Sequence, residues 1–446
     1  MPDIDSPGHE HENFTRWAVS HGITIKGIAP ARFPGRRLGM IATRDIKKNE
    51  VMLSIPVTLM LTIDSIPMEF VSQFPEGTSI HGILAAFLTH GDPGLLSELD
   101  VWRSVWPDWE EFENSMPVFW PKHLRASNST SAISSPEGVQ QLEHSPIILP
   151  PSISGLWSTL SNQVQQTPPP YETRYQNLLA QQEKRLKTAW DSVVDVFPVT
   201  DWKTFAYNWS IINSRSFYYV SPEKEEPEDW NDAIGMVPYA DYFNHVDNAE
   251  CEVKFDGKKY TFKATRRYEK GEEIYMSYGS HSNDFLLVEY GFCLDSNPSD
   301  AIYLDDMVIP NLTPEQKEEL AAYDYLGNYT VAADGVDECL IAAANIMYMN
   351  LKDWREYIDS NGEARQSFDV RKTRHILCQW IQQYMKERAL AVDAVKGLLL
   401  SAEDGLERGA KDKLDLLLSR WEQIQQLCDS ASKAISEWAK TRSEHK

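Results

Sequence analysis

The sequence predicts an α+β chain: a strand-rich part interrupted by a mainly helical block, then an all-helical C-terminal region. Three patterns carry this. Cys251, Val253 and Phe255 alternate with polar residues, Asp256-Gly257 turns the chain, and Tyr260, Phe262 and Ala264 alternate back, which is a hairpin. Tyr175, Leu179, Leu186, Trp190, Val193 and Phe197 keep three- and four-residue spacing along one helix that Pro198 stops. Leu414, Leu417, Leu418, Trp421, Ile424, Cys428, Ala431, Ile435 and Trp438 form a single apolar stripe, the packing face of a helical domain.

The elements follow in order. Residues 1 to 12 are polar and expected to be disordered. Residues 23 to 56 read as short strands and turns, with Gly39-Met40-Ile41 and Val51-Met52-Leu53 on either side of a polar turn at 45 to 50. The helical insert is expected at about 60 to 205. It holds a short helix at 80 to 90, a Trp-rich stretch at 102 to 120, and Ser- or Pro-rich loops at 127 to 136 and 167 to 170. Strands return at 233 to 278, a tight turn at 269 to 273 leads into a strand at 274 to 278, and a helix follows at 283 to 289. Past about residue 311 the pattern is helical, so the domains are expected at 13 to 300 and 301 to 446.

At 446 residues two or three domains are expected, and 42% hydrophobic residues with 14 Trp and 19 Tyr suffice for a sizeable core. No apolar run reaches the roughly 18 residues of a membrane span. The start, MPDIDSPGHEHENF, has neither the basic nor the apolar region of a signal peptide. The five cysteines (Cys251, Cys293, Cys339, Cys378 and Cys428) stand far apart without zinc-ligand spacing, so neither a metal site nor a disulfide framework is expected. The net charge of -23 argues against nucleic acid as a partner and suits a basic protein. Solubility alone explains that charge equally well.

Several residues bear chemistry. Asn244-His245 follows an apolar-aromatic run, and the backbone at such a turn can offer an adenine edge a donor and an acceptor side by side. A structural turn with a satisfied histidine explains the same two residues. Tyr278 ends a strand before Gly279, where a hydroxyl can be held beside open space. Tyr290-Gly291-Phe292 sets two aromatics about a glycine; such walls suit a sulfonium or an aliphatic amine, and suit a plain core as well. No phosphate loop, Rossmann fingerprint or nucleophile elbow occurs.

Taken in order, these pieces resemble the SET domain, in the branch of the Rubisco large-subunit lysine methyltransferase and the fungal ribosomal-protein lysine methyltransferases. The segment RLGMIATRDIKKNEVMLSIP looks like the first strand pair of that domain with its glycine loop. Ser214-Arg215-Ser216-Phe217 matches a Ser-Arg-x-Phe segment, ADYFNH an Asp-x-x-Asn-His motif, and SYGSHSNDFLLVEYGF the terminal tyrosine segments. The resemblance implies a β-rich SET domain with a helical insert, an all-α substrate-binding domain after it, and S-adenosylmethionine as cofactor. It further implies that Asn244 and His245 bind the cofactor through the main chain, where the chain tucks under its own C-terminal segment. Leu38, Gly39 and Met40 would pass its amino-acid end with Arg215 near, and Tyr290 and Phe292 would line its pocket. Ser214, Phe217, Asp241 and Tyr290 would face the substrate, and Tyr278 would be the catalytic tyrosine in contact with both.

The chemistry is consistent with these roles. A lysine amine, with an ordinary pKa of about 10.4, must lose a proton before it attacks a sulfonium methyl in line. Burial among aromatics helps by disfavouring the ammonium. Tyr278 and carbonyl oxygens can align the methyl by weak C–H···O contacts. No metal is required. One departure is Arg37, which stands where the glycine loop carries its first glycine, with Gly35 two residues early. The expected activity is protein-lysine N-methylation of a non-histone, ribosomal-type basic protein by a monomer, in the cytoplasm or nucleus, with no nucleic-acid or membrane partner. Protein-histidine methylation ranks below it because Phe217 suits a lysine stem. A SET-derived binding module without turnover is the reading from another class.

Overall fold

The computed structural model describes residues 6–33, 38–125, 146–160, 173, 175–221, 227, 230–364, 367–401 and 408–444. Contacts divide the chain into two units: Met1–Phe112 with Lys184–Ser280, and Glu113–Glu183 with His281–Lys446. Gly35, Arg37 and the expected loops at 127 to 136 and 167 to 170 lie outside the described residues.

In the first unit the short strands are β1 (Thr24–Ile25), β2 (Ile28–Arg32), β3 (Leu38–Ala42), β4 (Val51–Pro56), β5 (Ser216–Tyr218), β6 (Ile234–Met236), β7 (Cys251–Phe255), β8 (Lys259–Ala264) and β9 (Glu273–Ile274). They form three antiparallel sheets, ordered β1-β4-β8-β7, β2-β3-β9 and β5-β6. The hairpin β7–β8 has the register read from its alternation, with Cys251 opposite Ala264 and Phe255 opposite Tyr260. Tyr260, Phe262 and Ala264 are buried, whereas Lys259, Thr261 and Lys263 are not, as a sheet with one face in the core requires. The apolar segments after the glycine loop are strands, but they do not pair with each other. β3 lies between β2 and β9, and β4 between β1 and β8. Their polar connection is too long and irregular for a two-residue hairpin, so each strand joins a different sheet.

The expected disorder at 1 to 12 does not extend over residues 9 to 12. The helix His9–Ser20 already contains His11, which is buried with its Nδ1 2.7 Å from the Tyr242 hydroxyl. Phe14 is fully buried against Tyr239 and Tyr242. Polar composition hid a helix whose stability comes from these tertiary contacts. The insert between β4 and β5 is mainly helical. Its helix Ile80–His90 is capped by Ser79 and packs on Trp202–Arg215, capped by Asp201. The helix expected at 175 to 197 runs Leu178–Val196, with Leu179, Leu186 and Val193 buried.

In the second unit the long helices Val370–Ser401 and Arg408–Glu444 pack along each other. Leu414, Leu417, Trp421, Ile424, Cys428, Ala431 and Ile435 of the stripe are buried, the last five in its hydrophobic core. Among the described residues past 301, the helices are joined by one small antiparallel sheet, β10 (Ala301–Tyr303), β11 (Thr330–Ala332) and β12 (Gly335–Val336). Strands of two or three residues are too short to show an alternation. Among the described residues no helix is long and apolar enough to cross a membrane, and no group of three or more His, Cys, Asp or Glu is placed to hold a metal ion.

Candidate active site

The site is built where residues 244 to 246 run parallel beside the segment after β9. The Met276 N–H donates to the Asn244 carbonyl (2.9 Å) and the Val246 N–H to the Met276 carbonyl (3.2 Å). In a parallel ladder these two bonds straddle His245, so its own N–H and C=O point to the opposite side. The Asn244 side chain is pinned by two donations from Nδ2, to the Leu38 carbonyl at 3.0 Å and to Glu273 Oε1 at 2.8 Å.

Gly39 makes that approach possible. A Cβ there would stand 2.6 Å from Glu273 Oε1, 2.7 Å from Asn244 Nδ2 and 2.9 Å from the Phe33 ring. The glycine strand is thus pressed against the Asn-His segment by close approach. Met40 follows, fully buried in β3 opposite Ile274.

Tyr278 closes the other end. Its N–H donates to His245 Nδ1 (3.0 Å), its ring stacks on the imidazole (4.9 Å between centroids), and its hydroxyl donates to the Phe243 carbonyl at 2.7 Å. Burial pushes the phenol above its ordinary value; Arg215 opposes that and Asp241 adds to it. The hydroxyl therefore stays neutral at physiological pH, with its proton donated to the Phe243 carbonyl.

Arg215, the last residue of its helix, donates from Nη1 to Asp241 Oδ2 at 3.3 Å. Burial raises the Asp241 carboxyl, and Arg215 pulls it back. Among the described residues, Arg215 Nε and Asp241 Oδ1 are buried without a hydrogen-bond partner, which leaves this pair polar capacity for a ligand. Ser214 spends its hydroxyl on the Ser210 carbonyl at 2.8 Å. Phe217 in β5 meets Tyr260 and Phe262 edge to face, and Phe262 stacks on Phe243 at 5.2 Å. One aromatic cluster thus runs from Phe217 to the residue whose carbonyl holds Tyr278.

Leu38, Gly39, Asn244, His245 and Tyr278 are accordingly joined by direct contacts, and Arg215 with Asp241. Tyr290 and Phe292 belong to the second unit. There the helix Asn283–Tyr290 ends at Gly291, left-handed at φ 80°, and the two rings lie 6.2 Å apart. Sequence reasoning missed Glu273 and Tyr275, whose hydroxyl donates to Glu273 Oε2 at 2.5 Å. Residues two apart on a strand share a face, but the pair was absorbed into a turn-and-strand reading. Also missed was the buttress behind Asp241, in which Tyr239 is left-handed at φ 73°, fully buried, and bonded to Thr15 of the N-terminal helix.

A family model of the SET domain matches residues 37–279. The ribosomal lysine N-methyltransferase set11 of Schizosaccharomyces pombe is 30% identical over 217 residues, which are 46% of this chain and 55% of that protein. SET domain-containing protein 4 of Homo sapiens is 22% identical over 77% of this chain and 73% of its own. The solved structure of Rubisco LSMT bound to AdoMet superposes with a TM-score of 0.59 at 13% identity, over 97% of this chain and 92% of the other. It shares the fold.

The chain belongs to the SET domain family. The fission-yeast relative is named a lysine N-methyltransferase, and the Rubisco LSMT structure holds AdoMet.

Proposed function

We propose that this chain methylates a lysine side chain of a basic, ribosomal-type protein, acting as a monomer in the cytoplasm or nucleus. The observation that carries the chemistry is the double fixing of Tyr278, by its amide to His245 and its hydroxyl to Phe243. His245, whose amide faces away from the Met276 ladder, would receive the adenine edge. Leu38, Gly39 and Met40 with Arg215 would hold the amino-acid end. Bound S-adenosylmethionine supplies an electrophilic methyl on a sulfonium.

The chain's own groups do the rest. The aromatic wall about Phe217 takes the lysine stem and disfavours the ammonium, so the amine enters neutral. Asp241, with the Ser214 carbonyl near, faces the amine. Tyr278 aligns the attack with an oxygen whose own proton is already engaged. A ribosomal-type substrate is supported by the named activity of the fission-yeast relative and by the net charge of -23, which draws basic proteins.

The test is transfer of label from radioactive S-adenosylmethionine to purified, hypomethylated ribosomal subunits, with Tyr278→Phe beside it. A labelled band absent with the variant, mapped to lysine by mass spectrometry, is the expected result. Label on histidine, or on non-ribosomal proteins only, would overturn the corresponding part of the proposal.

A further inference from the structure

The reading of Asn244-His245 as the adenosine-binding segment leaves open what holds that segment in place. The Asn244 side-chain amide has two protons, and both are engaged, one by the Leu38 carbonyl and one by Glu273. Both partners only accept, so a flipped amide would set oxygen against oxygen twice. Glu273 stands opposite Ile41 in the β3–β9 pairing, which places its carboxylate over the glycine strand. Its second oxygen takes the Tyr275 hydroxyl, so each carboxylate oxygen accepts a hydrogen bond and the group is fixed in direction as well as position. The cradle is close: a single methyl group at Gly39 would collide with the carboxylate and the amide together.

We propose that Glu273 is a positioning residue for the cofactor, clamping the Asn244 side chain so that the main chain of Asn244-His245 is presented in one fixed geometry. Three segments meet at this carboxylate: β3 through Gly39, the Asn-His turn through Asn244, and the segment after β9 through Tyr275. His245 is fixed independently by the Tyr278 amide. Loss of Glu273 therefore releases the front of the turn while its rear stays held. Affinity for the adenosine moiety suffers first, and the fixed Tyr278 hydroxyl is retained. The inference rests on the proposed cofactor site.

The test is calorimetric binding of S-adenosylhomocysteine to the full chain, together with thermal melts. Glu273→Ala is expected to raise Kd at least tenfold. Glu273→Gln should stay within threefold of wild type, because its amide oxygen still accepts from Asn244 and its NH2 can donate to the Tyr275 oxygen. Glu319→Ala, which breaks an ion pair with Arg355 in the second unit, serves as a destabilised control whose Kd should not move. In turnover, Glu273→Ala should raise KM for S-adenosylmethionine more than it lowers kcat.

A wild-type Kd in Glu273→Ala, an equal loss in Glu273→Gln, or a matching loss in the Glu319→Ala control would each overturn the clamp while leaving the cofactor site standing. Wild-type protein that binds no S-adenosylhomocysteine would overturn the cofactor site, and the clamp with it. Should Glu273→Ala not fold, Tyr275→Phe decides: it removes one of the bonds to Glu273, and a Kd raised two- to fivefold supports the clamp whereas an unchanged Kd refutes it.

Discussion

The Tyr278 hydroxyl donates a 2.7 Å hydrogen bond to the Phe243 carbonyl, joining the end of the SET region to the residue before Asn244. Because the proton is engaged there, the phenol is oriented before any substrate arrives. Tyr278→Phe should leave cofactor binding within threefold and lower kcat at least a hundredfold. The lost neutral hydrogen bond costs about 1 kcal/mol of stability, too little to unfold the chain. Calorimetry beside single-turnover rates checks this, and a variant with wild-type kcat would remove Tyr278 from the chemistry.

The same phenol predicts a pH profile. Its folded pKa lies above the ordinary 10 through burial, so it keeps its proton to higher pH than a free tyrosine. Its contribution to stability is complete below pH 10 and is lost only as pH rises through the folded value. The single-turnover rate should therefore climb from pH 7 to about 9.5 as substrate lysine deprotonates, with no falling limb from Tyr278. A bell whose alkaline limb disappears in Tyr278→Phe would contradict the neutral-phenol role.

Gly39 is a point of close approach in the site. A Cβ there would stand 2.6 to 2.9 Å from the Glu273, Asn244 and Phe33 side chains, and the first two are held by hydrogen bonds that a shift would disturb. Gly39→Ala is expected to raise Kd for S-adenosylhomocysteine at least tenfold and to lower the melting temperature. Unchanged binding would mean that β3 can move off Asn244 without consequence for the cofactor.

Periodic elements were legible in the sequence. The hairpin register, the helix at 80 to 90 and the C-terminal stripe follow from alternation or from three- and four-residue spacing, both of which are local. The Asn-His and Tyr-Gly motifs were legible as a series. What could not be read is what joins distant segments: Asn244 to Leu38 across 206 positions, and His11 to Tyr242 across 231. Neither contact leaves a periodic trace. Glu273 was hidden for a related reason, since a glutamate in a charged turn resembles a solvated one until its partners are placed. The sheet β10–β12 was missed because its strands are shorter than one period of evidence.

His81 makes a sharp acid-stability prediction. It is buried on the helix Ile80–His90, with its ring stacked on Trp209 at 4.9 Å, and burial, with Arg185 nearby, lowers its pKa to about 3. The unfolded chain titrates near 6.5, so below that pH it takes a proton the fold refuses. Stability is full above 6.5 and falls toward pH 3, at a limiting slope of about 1.4 kcal/mol per pH unit from this one group. His81→Phe keeps a ring against Trp209 and should flatten the fall between pH 6.5 and 4.5 by about one proton relative to wild type. Carboxylates titrate in both proteins, so the difference isolates His81; parallel curves would show that its ring is protonated within the fold.

Arg420 tests the second unit by itself. Its guanidinium is fully buried, donating to Asp284 at 2.7 Å and to both oxygens of Asp300 at 2.6 and 3.0 Å, and Ser152 holds the other oxygen of Asp284. This ties the helix Arg408–Glu444 to the start of Asn283–Tyr290, whose far end carries Tyr290 and Gly291. Removing the cation alone strands two carboxylates in the core, at a cost of about 3–5 kcal/mol. Arg420→Met should show that loss in urea unfolding. Adding Asp284→Asn and Asp300→Asn should recover much of it, because the penalty comes from the uncompensated charges and not from a missing attraction. A triple variant no more stable than the single one would mean that the geometry of the triad, rather than its charge balance, holds these helices together.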